Sequence, residues 1–328
     1  MLLSSLLLAC LQSPAPAPAA PAQAAKPLSF VPRLETGAKS RLELVKARED
    51  WEGDKLLKSS KTVTPITVEV LAHGATGGVV RWTFGHTSVI EGAGKDKDYA
   101  ERMASLSEGM RLDFKLSPAG EVQGLADPEE LRRHYARMLQ EVEQGLLEKG
   151  LEREVVARLM ASSAQRVVGP DFERTSLLEV GLFHRCAGFA FVPGEKVEVE
   201  NVLANPLGGD PLPAKGWYRL ELADGSTARV RFELVLDAEK ALALILAWWN
   251  EVAERNGEPP RQAPEELPLK DLSEETSFVL DLASGLPRSV EHVRTSRIDQ
   301  RKRVDRTLLR LVSAAAPRAD AKAGESPR

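Results

Sequence analysis

The sequence is poor in the residues that form cross-links and metal sites. It holds two cysteines and five histidines in 328 residues, and after Cys10 only Cys186 remains. A single remaining thiol cannot close an intramolecular disulfide, so the fold does not depend on one. No two histidines have the H-x-x-x-H or H-E-x-x-H spacing that places two imidazoles on one helix face, so no metal is predicted.

The chain also has no large surplus of charge of either sign. Its 44 basic and 48 acidic residues leave a formal net charge of -4, so no overall field attracts nucleic acid, and no nucleic-acid partner is predicted. The longest basic run, Arg297 to Arg310, is broken by Asp299 and Asp305. Its alternation is typical of a strand with one solvated face, and a phosphate-binding patch is the alternative.

Motifs for nucleophilic catalysis or phosphate binding are missing as well. The sequence has no G-x-S-x-G elbow, and no Lys-Ser/Thr pair follows the glycines at 74, 77 and 78, so no cofactor is predicted. Cys186 stands among apolar neighbours, which favours a buried, inert thiol, and His184 beside it is interpreted as structural. The sequence therefore favours a non-enzymatic protein.

An enzyme remains as an alternative. Its active site would have to be assembled from residues far apart in the chain, and a hydrolase is the class considered. Two or more polar side chains converging in one pocket would support it, with His86, Asp113, His184 and His292 as the candidates.

The first ten residues have the form of an export signal. Residues 1–9 are mostly apolar and too few to span a bilayer as a helix, and small residues and prolines follow. The sequence from Leu7 to Cys10 (L-L-A-C) resembles the lipobox of bacterial lipoproteins, which implies lipidation of Cys10 and a membrane anchor. The usual Lys or Arg before the apolar run is missing, and a misassigned start codon is therefore one alternative to a lipoprotein signal. Cleavage near Ala24, after A-Q-A, is the other alternative and would release the protein.

Two low-complexity segments flank the body. Residues 11–27 are rich in Pro and Ala, which favour extended polyproline-type chain and cannot build a core, so they are interpreted as a tether. Residues 313–328 are small, polar and aperiodic, and a disordered tail is predicted there. The folded body is expected over 28–312, as one unit or as two halves of about 28–165 and 166–312.

Alternating apolar and polar residues predict strands at both ends of the body. Hairpins are expected around the glycine-rich turn at 73–78, around Ser117 to Glu121, and around Asp224-Gly225. Strands are also predicted at 196–202, 276–282, 288–295 and 303–312. These local pairings indicate an antiparallel sheet.

Helices are predicted between the two strand regions and once after them. Asp127-Pro128 combines an N-cap carboxylate with proline at the first helical position, and apolar residues recur at helical spacing up to Gly150. Further helices are expected at 152–164, from 171 to about 185, and after Asp237. The last of these carries Trp248 and Trp249, which are candidate ligand-lining residues if they do not pack into the core.

The order of the elements, strands, then helices, then strands, predicts an α+β fold. In this fold a curved antiparallel sheet has helices packed on one face. This fold, following an export signal and a tether, resembles the half-barrel lipoprotein carriers and the lipid-binding lipoproteins of the bacterial envelope. It also resembles uncharacterised exported domains. The resemblance covers the architecture of about 28–312 and assigns no functional residue. It implies a periplasmic or membrane-anchored protein that binds an apolar small molecule or an envelope protein. A structural spacer is a further alternative.

Overall fold

The computed structural model describes residues 26–92, 97–169, 172–206, 210–255, 257–259 and 269–314. The apolar start of the chain, Cys10, most of the Pro/Ala-rich segment and nearly all of the tail fall outside the described residues. No helix in the described ranges is long and apolar enough to cross a membrane.

Antiparallel strands dominate the described chain. Their bounds are β1 Leu28–Ser29, β2 Lys39–Glu52, β3 Lys55–Gly74, β4 Gly77–Phe84, β5 Ser88–Glu91, β6 Arg111–Leu116, β7 Val122–Leu125, β8 Ala190–Phe191, β9 Lys196–Leu203, β10 Leu212–Ala223, β11 Thr227–Leu236, β12 Leu269–Asp281, β13 Pro287–Ile298 and β14 Arg301–Ala314.

Helices occupy the connections. They are α1 Lys97–Ala104, α2 Pro128–Glu148, α3 Arg153–Val168, α4 Phe172–Ser176, α5 Leu178–His184 and α6 Ala238–Arg255, with a 3-10 turn at Ser105–Ser107.

One twelve-stranded antiparallel sheet organises the described chain, and its order is β7-β6-β4-β3-β2-β14-β13-β12-β11-β10-β9, with β5 paired to β3. Each half of the chain contributes a meander of neighbouring strands. The two meanders join where β2 pairs with β14 over nearly the full length of both strands. The α+β fold with an antiparallel sheet is thus confirmed.

A continuous apolar row crosses the inner face of the sheet. Six side chains from both meanders stand opposite one another on adjacent strands, and each is at most 4% exposed. They are Leu220, Val230, Phe278, Val290, Leu309 and Leu44. Buried residues of α5 and α6 belong to the same core cluster. Since side chains alternate across a strand, this pattern places the core on one face of the sheet.

The same face becomes charged farther along the strands. Four residues beyond the apolar row, a second row of opposed residues alternates in sign: Glu274, Arg294, Asp305 and Arg48. A displacement of four residues along a strand is about 13 Å. The inner face therefore has an apolar part and a charged part. Helix α5 lies near their boundary, because its Phe183 is in the apolar core whereas its Glu179 forms an ion pair with Lys46 beside the charged row.

The predicted start of α2 is confirmed. The Asp127 carboxylate accepts a hydrogen bond from the backbone N–H of Glu130, 2.9 Å away, and Pro128 is the first helical residue. The single helix predicted from 171 to about 185 is wrong, because the chain forms α4 and α5 instead. Leu177 separates them with φ -98° and ψ 10°, outside the helical region.

Candidate functional site

The segment that enters the fold, residues 26–38, crosses one end of the inner face and is held there by backbone hydrogen bonds. The amide of Phe30 donates to the carbonyl of Phe189 at 3.0 Å, and the amide of Arg33 donates to the carbonyl of Ser284 at 2.7 Å. Farther on, the amide of Val70 in β3 donates to the carbonyl of Ala38 at 3.0 Å. Residues 26–38 thus form a fixed cover, called here the N-terminal segment.

The β12–β13 turn packs against the N-terminal segment. The Asp281 carboxylate accepts hydrogen bonds from the amide of Ser284 at 2.8 Å and from Nε of Arg288 at 2.9 Å. Gly285 has φ +71°, and a Cβ atom added there would lie 2.4 Å from the carbonyl oxygen of Val31. A glycine is therefore required at this position both by its backbone conformation and by the close approach of the N-terminal segment.

An apolar cavity of about 290 Å³ lies between the N-terminal segment, α5, the turn and the inner face of the sheet. Nine of its fifteen lining residues are apolar: Leu34, Ala38, Val68, Val70, Val80, Phe183, Leu286, Pro287 and Leu311. Its polar lining residues are Arg33, Glu35, Lys39, Ser40, His184 and Ser284. Val70, Val80 and Phe183 are at most 5% exposed, so the floor of the cavity belongs to the core.

His184 forms part of the cavity wall as a neutral imidazole. Its Nδ1 lies 3.1 Å from the carbonyl oxygen of Gly120, so this nitrogen carries the hydrogen and donates. Burial lowers the pKa of His184 to about 4, and the hydrogen bond to Gly120 opposes that shift. His184 is thus uncharged at neutral pH, and this part of the wall suits an apolar ligand.

A second cavity, about 370 Å³, lies on the charged part of the same face. There, Arg48 Nε is 2.6 Å from Asp305 Oδ1, and His292 Nδ1 is 2.9 Å from Thr276 Oγ1. Burial, followed by the charges of Arg185 and Arg294, lowers the pKa of His292 to about 4. Because positive and negative side chains alternate, this cavity selects neither sign of ligand and is unsuited to an apolar one.

The candidate catalytic side chains do not converge. His184 lines the apolar cavity, His292 lines the charged one, and Asp113 is bound by Arg81 through two hydrogen bonds of 2.7 Å. His86 is exposed, and its Nδ1 lies 3.2 Å from Ser105 Oγ and 3.0 Å from Glu108 Oε2.

This last arrangement does not match a Ser-His-acid relay. In such a relay the serine and the acid contact different ring nitrogens, so that the proton can pass through the imidazole, whereas at His86 both partners contact Nδ1. Cys186 is 1% exposed, and burial raises the pKa of its thiol, so the thiolate nucleophile is disfavoured. These residues therefore provide no support for the hydrolase alternative.

The two tryptophans singled out in the sequence lie on α6, which contacts β10. Trp249 is partly buried and packs against the core, and Trp248 is half-buried. The floor of the apolar cavity is formed by β3, β4 and β14, and neither tryptophan is among its lining residues. Cys10, the predicted lipidation site, is outside the described residues.

The sequence did not single out the residues that line the cavity. They come from the N-terminal segment, β2, β3, β4, α5, the β12–β13 turn and β14, and no two of these regions form a recognisable motif. One signal was available: Ser284 and Gly285 follow Asp281 in the sequence. Asp followed by Ser and Gly is typical of a turn in which the Asp carboxylate accepts hydrogen bonds from the backbone. That signal predicts the turn but not the segment packed on it.

No family model matches the chain, and no curated protein matches it. Among solved structures, the chain resembles one of lipovitellin, described by its lipid–protein interactions, with a TM-score of 0.46 and 8% sequence identity. The match covers 89% of this chain and 27% of the lipovitellin chain. So distant a likeness identifies no ligand here, and the ligand class has to come from the residues of the cavity.

Proposed function

We propose that the protein is an exported, membrane-tethered, non-enzymatic binding protein that holds one apolar ligand, such as a single acyl chain, in the apolar cavity. The observation that carries this proposal is the lining of that cavity, in which apolar side chains outnumber polar ones nine to six. Pockets that are mainly apolar with a few convergent polar groups are the usual form of small-molecule sites.

The size of the cavity restricts the ligand. Its volume, about 290 Å³, is at the lower end of the roughly 300–1,000 Å³ found for small-molecule pockets. Val80 on β4 and Leu311 on β14 are three strand spacings apart, or about 14 Å. A space of this length and volume suits one chain better than a lipid with several chains.

The charged groups at the cavity lie on the cover and directly after it. Arg33, Glu35 and Lys39 are exposed, and the Lys39 ammonium is 3.1 Å from the Glu69 carboxylate. The floor of the cavity, by contrast, is made of valines and Leu311. A ligand with an apolar chain and a polar end therefore fits with its chain on the floor and its polar end at the N-terminal segment, in contact with water.

The tether and the cavity are connected through the N-terminal segment. Fifteen residues lie between Cys10 and Lys26, where the described chain begins. A Pro/Ala-rich sequence of that length reaches up to about 50 Å when extended at ~3.1 Å per residue. A lipid on Cys10 would thus keep the cover of the cavity within about 50 Å of a membrane, from which an apolar ligand could be received.

Filling the cavity tests the binding proposal. Ala38→Phe places a ring in the cavity from its cover, and Ala47→Phe makes the same change on β2, at a half-buried site outside the apolar cavity. Titration with a fluorescent fatty acid is expected to show binding weakened about tenfold or more in Ala38→Phe, a loss of ~1.4 kcal/mol. Binding by Ala47→Phe should match the wild type. Equal affinity in all three proteins, or no binding by the wild type, would exclude the cavity as the site.

The anchor needs its own experiment. In a Gram-negative host, wild-type protein should incorporate labelled palmitate and fractionate with membranes, whereas Cys10→Ala should do neither. An unlabelled wild-type protein recovered in the soluble periplasmic fraction would replace the tether with cleavage near Ala24 and leave the cavity proposal standing.

A further inference from the structure

The geometry points to a membrane-docking surface at the end of the sheet opposite the apolar cavity, where two hairpin tips lie side by side. The β2–β3 hairpin turns at Gly53, and the β13–β14 hairpin turns at Asp299 and Gln300. The amide of Gly53 donates a hydrogen bond to the carbonyl of Gln300 at 2.8 Å. This bond fixes the two tips to each other, so that they present a single surface, called here the paired tips (residues 50–61 and 297–303).

Apolar side chains project at the paired tips. The register of β2 and β3 shifts between Asp50 and Trp51: Trp51 opposes Leu56, Asp50 opposes Lys58, and Leu57 is the extra residue of a β-bulge. Leu56 is 44% exposed and Leu57 is 50% exposed, and Trp51 is half-buried. A hairpin tip with two exposed leucines beside a tryptophan is the kind of apolar body that enters the interfacial region of a bilayer.

The charge of the paired tips complements an anionic surface. Residues 50–61 and 297–303 contain seven basic and four acidic side chains, a local charge of +3 in a chain of net charge -4. The basic residues are Lys55, Lys58, Lys61, Arg297, Arg301, Lys302 and Arg303. Arg303 is paired with Asp50 at 2.7 Å. Lysines whose stems lie along exposed leucines can keep their ammonium groups at the level of lipid phosphates.

An anionic membrane fits these residues better than a nucleic acid does. Single-stranded nucleic acid is bound by aromatic rings on which bases stack, whereas the most exposed apolar side chains of the paired tips are the aliphatic Leu56 and Leu57. The indole N–H of Trp51 donates to the Glu49 carboxylate at 3.2 Å, and this negative charge beside the ring opposes a phosphate backbone. Exposed leucines flanked by lysines are, in contrast, what an anionic bilayer recognises.

The paired tips are separate from the apolar cavity. Lys39, a lining residue of the cavity, and Trp51 are twelve residues apart on β2, which corresponds to about 40 Å. The docking surface therefore does not depend on what the cavity binds, and the two can be tested separately.

A local probe tests the docking surface in the full-length chain. A polarity-sensitive maleimide dye is attached to the new thiol of Gln300→Cys. The variant also carries Cys10→Ala, which removes the other reactive thiol. Cys186 is not expected to label because it is only 1% exposed. The dye emission is recorded with vesicles of phosphatidylcholine alone and of equal parts phosphatidylcholine and phosphatidylglycerol. The control carries the dye in Val202→Cys on β9, whose side chain is 50% exposed, as Leu57 is.

The dye at position 300 is expected to shift to the blue with the anionic vesicles only, and the dye at position 202 should not shift. Lys55→Gln/Lys58→Gln should weaken the partition roughly 25-fold, about fivefold for each basic residue, and Leu56→Ser/Leu57→Ser should abolish the shift. No shift with anionic vesicles, a shift that survives both pairs of substitutions, or a larger shift with single-stranded DNA would overturn the proposal. The substitutions lie on an exposed tip, so the midpoint of urea unfolding is expected to stay that of the wild type.

Discussion

Gly285 and Val31 approach so closely that a side chain at position 285 would collide with the carbonyl oxygen at position 31, since a Cβ atom added to the glycine would lie only 2.4 Å from that oxygen. This contact joins the β12–β13 turn to the N-terminal segment. The cavity beneath that segment exists because the two backbones meet without a side chain between them.

Gly285→Ala is expected to destabilise the protein more than the backbone conformation alone would require. The substitution adds the cost of a positive φ, about 1 kcal/mol, to that of the collision with Val31, together roughly 2–3 kcal/mol. Gly225→Ala is the control, because Gly225 has φ +85° and nothing within 4 Å of its Cβ position. Urea unfolding measures both free energies. Equal losses for the two variants would show that the N-terminal segment yields and is not a fixed cover.

Stability should fall with acid in a window set by His184. The unfolded imidazole takes up a proton near pH 6.5, whereas burial holds the pKa of the folded one at about 4. Between these values the unfolded chain binds more protons, so the free energy of unfolding decreases as the pH is lowered from 6.5 to 4, by about 3 kcal/mol. His292, with a pKa also lowered to about 4, acts in the same direction.

The variant His184→Asn isolates this contribution. Asparagine keeps a donor for the Gly120 carbonyl but does not titrate, so the decrease in stability between pH 6.5 and 4 should become shallower. The exposed His86→Asn serves as the control for the substitution itself. If His184→Asn and the wild type lose stability in parallel, the imidazole is not buried as described.

The two tryptophans of α6 should differ in their effect on stability. Trp249 packs against the core, so Trp249→Ala is expected to cost about 2 kcal/mol, less than a fully buried tryptophan. Trp248 is only half-buried, and Trp248→Ala should cost about 1 kcal/mol or less. Fatty-acid affinity should be retained in both variants. A loss of affinity in Trp248→Ala at unchanged stability would move the binding site to α6, where the sequence placed the candidate ligand-lining residues.

The sequence predicted the elements whose signals are local. The start of α2 follows from Asp127 and Pro128, and the hairpin at Asp224-Gly225 follows from its turn residues, since both depend on neighbours in the chain. The break at Leu177 was missed because Phe172, Val180 and Phe183 continue an apolar pattern through it. Leu177 itself gives no signal of a break, since it is neither Gly nor Pro.

The site was harder to predict than the fold. Val70, Phe183 and Leu311 each look like ordinary core residues, and nothing in their own surroundings in the sequence shows that a cavity separates them. The void depends on a segment near residue 34 resting on a turn near residue 285, a contact across some 250 residues. The charged row on the inner face was equally hidden, because its alternating signs appear only when four strands are aligned in register.

Ligand binding in the apolar cavity is tested most directly by methyl NMR of the protein titrated with a fatty acid, using labelled valine and leucine methyl groups. Shift changes and ligand contacts are expected at Val68, Val70, Val80 and Leu311, the four Val and Leu residues contributed by the sheet to the cavity lining. Methyl groups of Leu203 and Leu212, next to α6, should not change. Ligand contacts confined to the α6 end of the sheet, or no change at any methyl group, would contradict the claim that this cavity binds an apolar ligand.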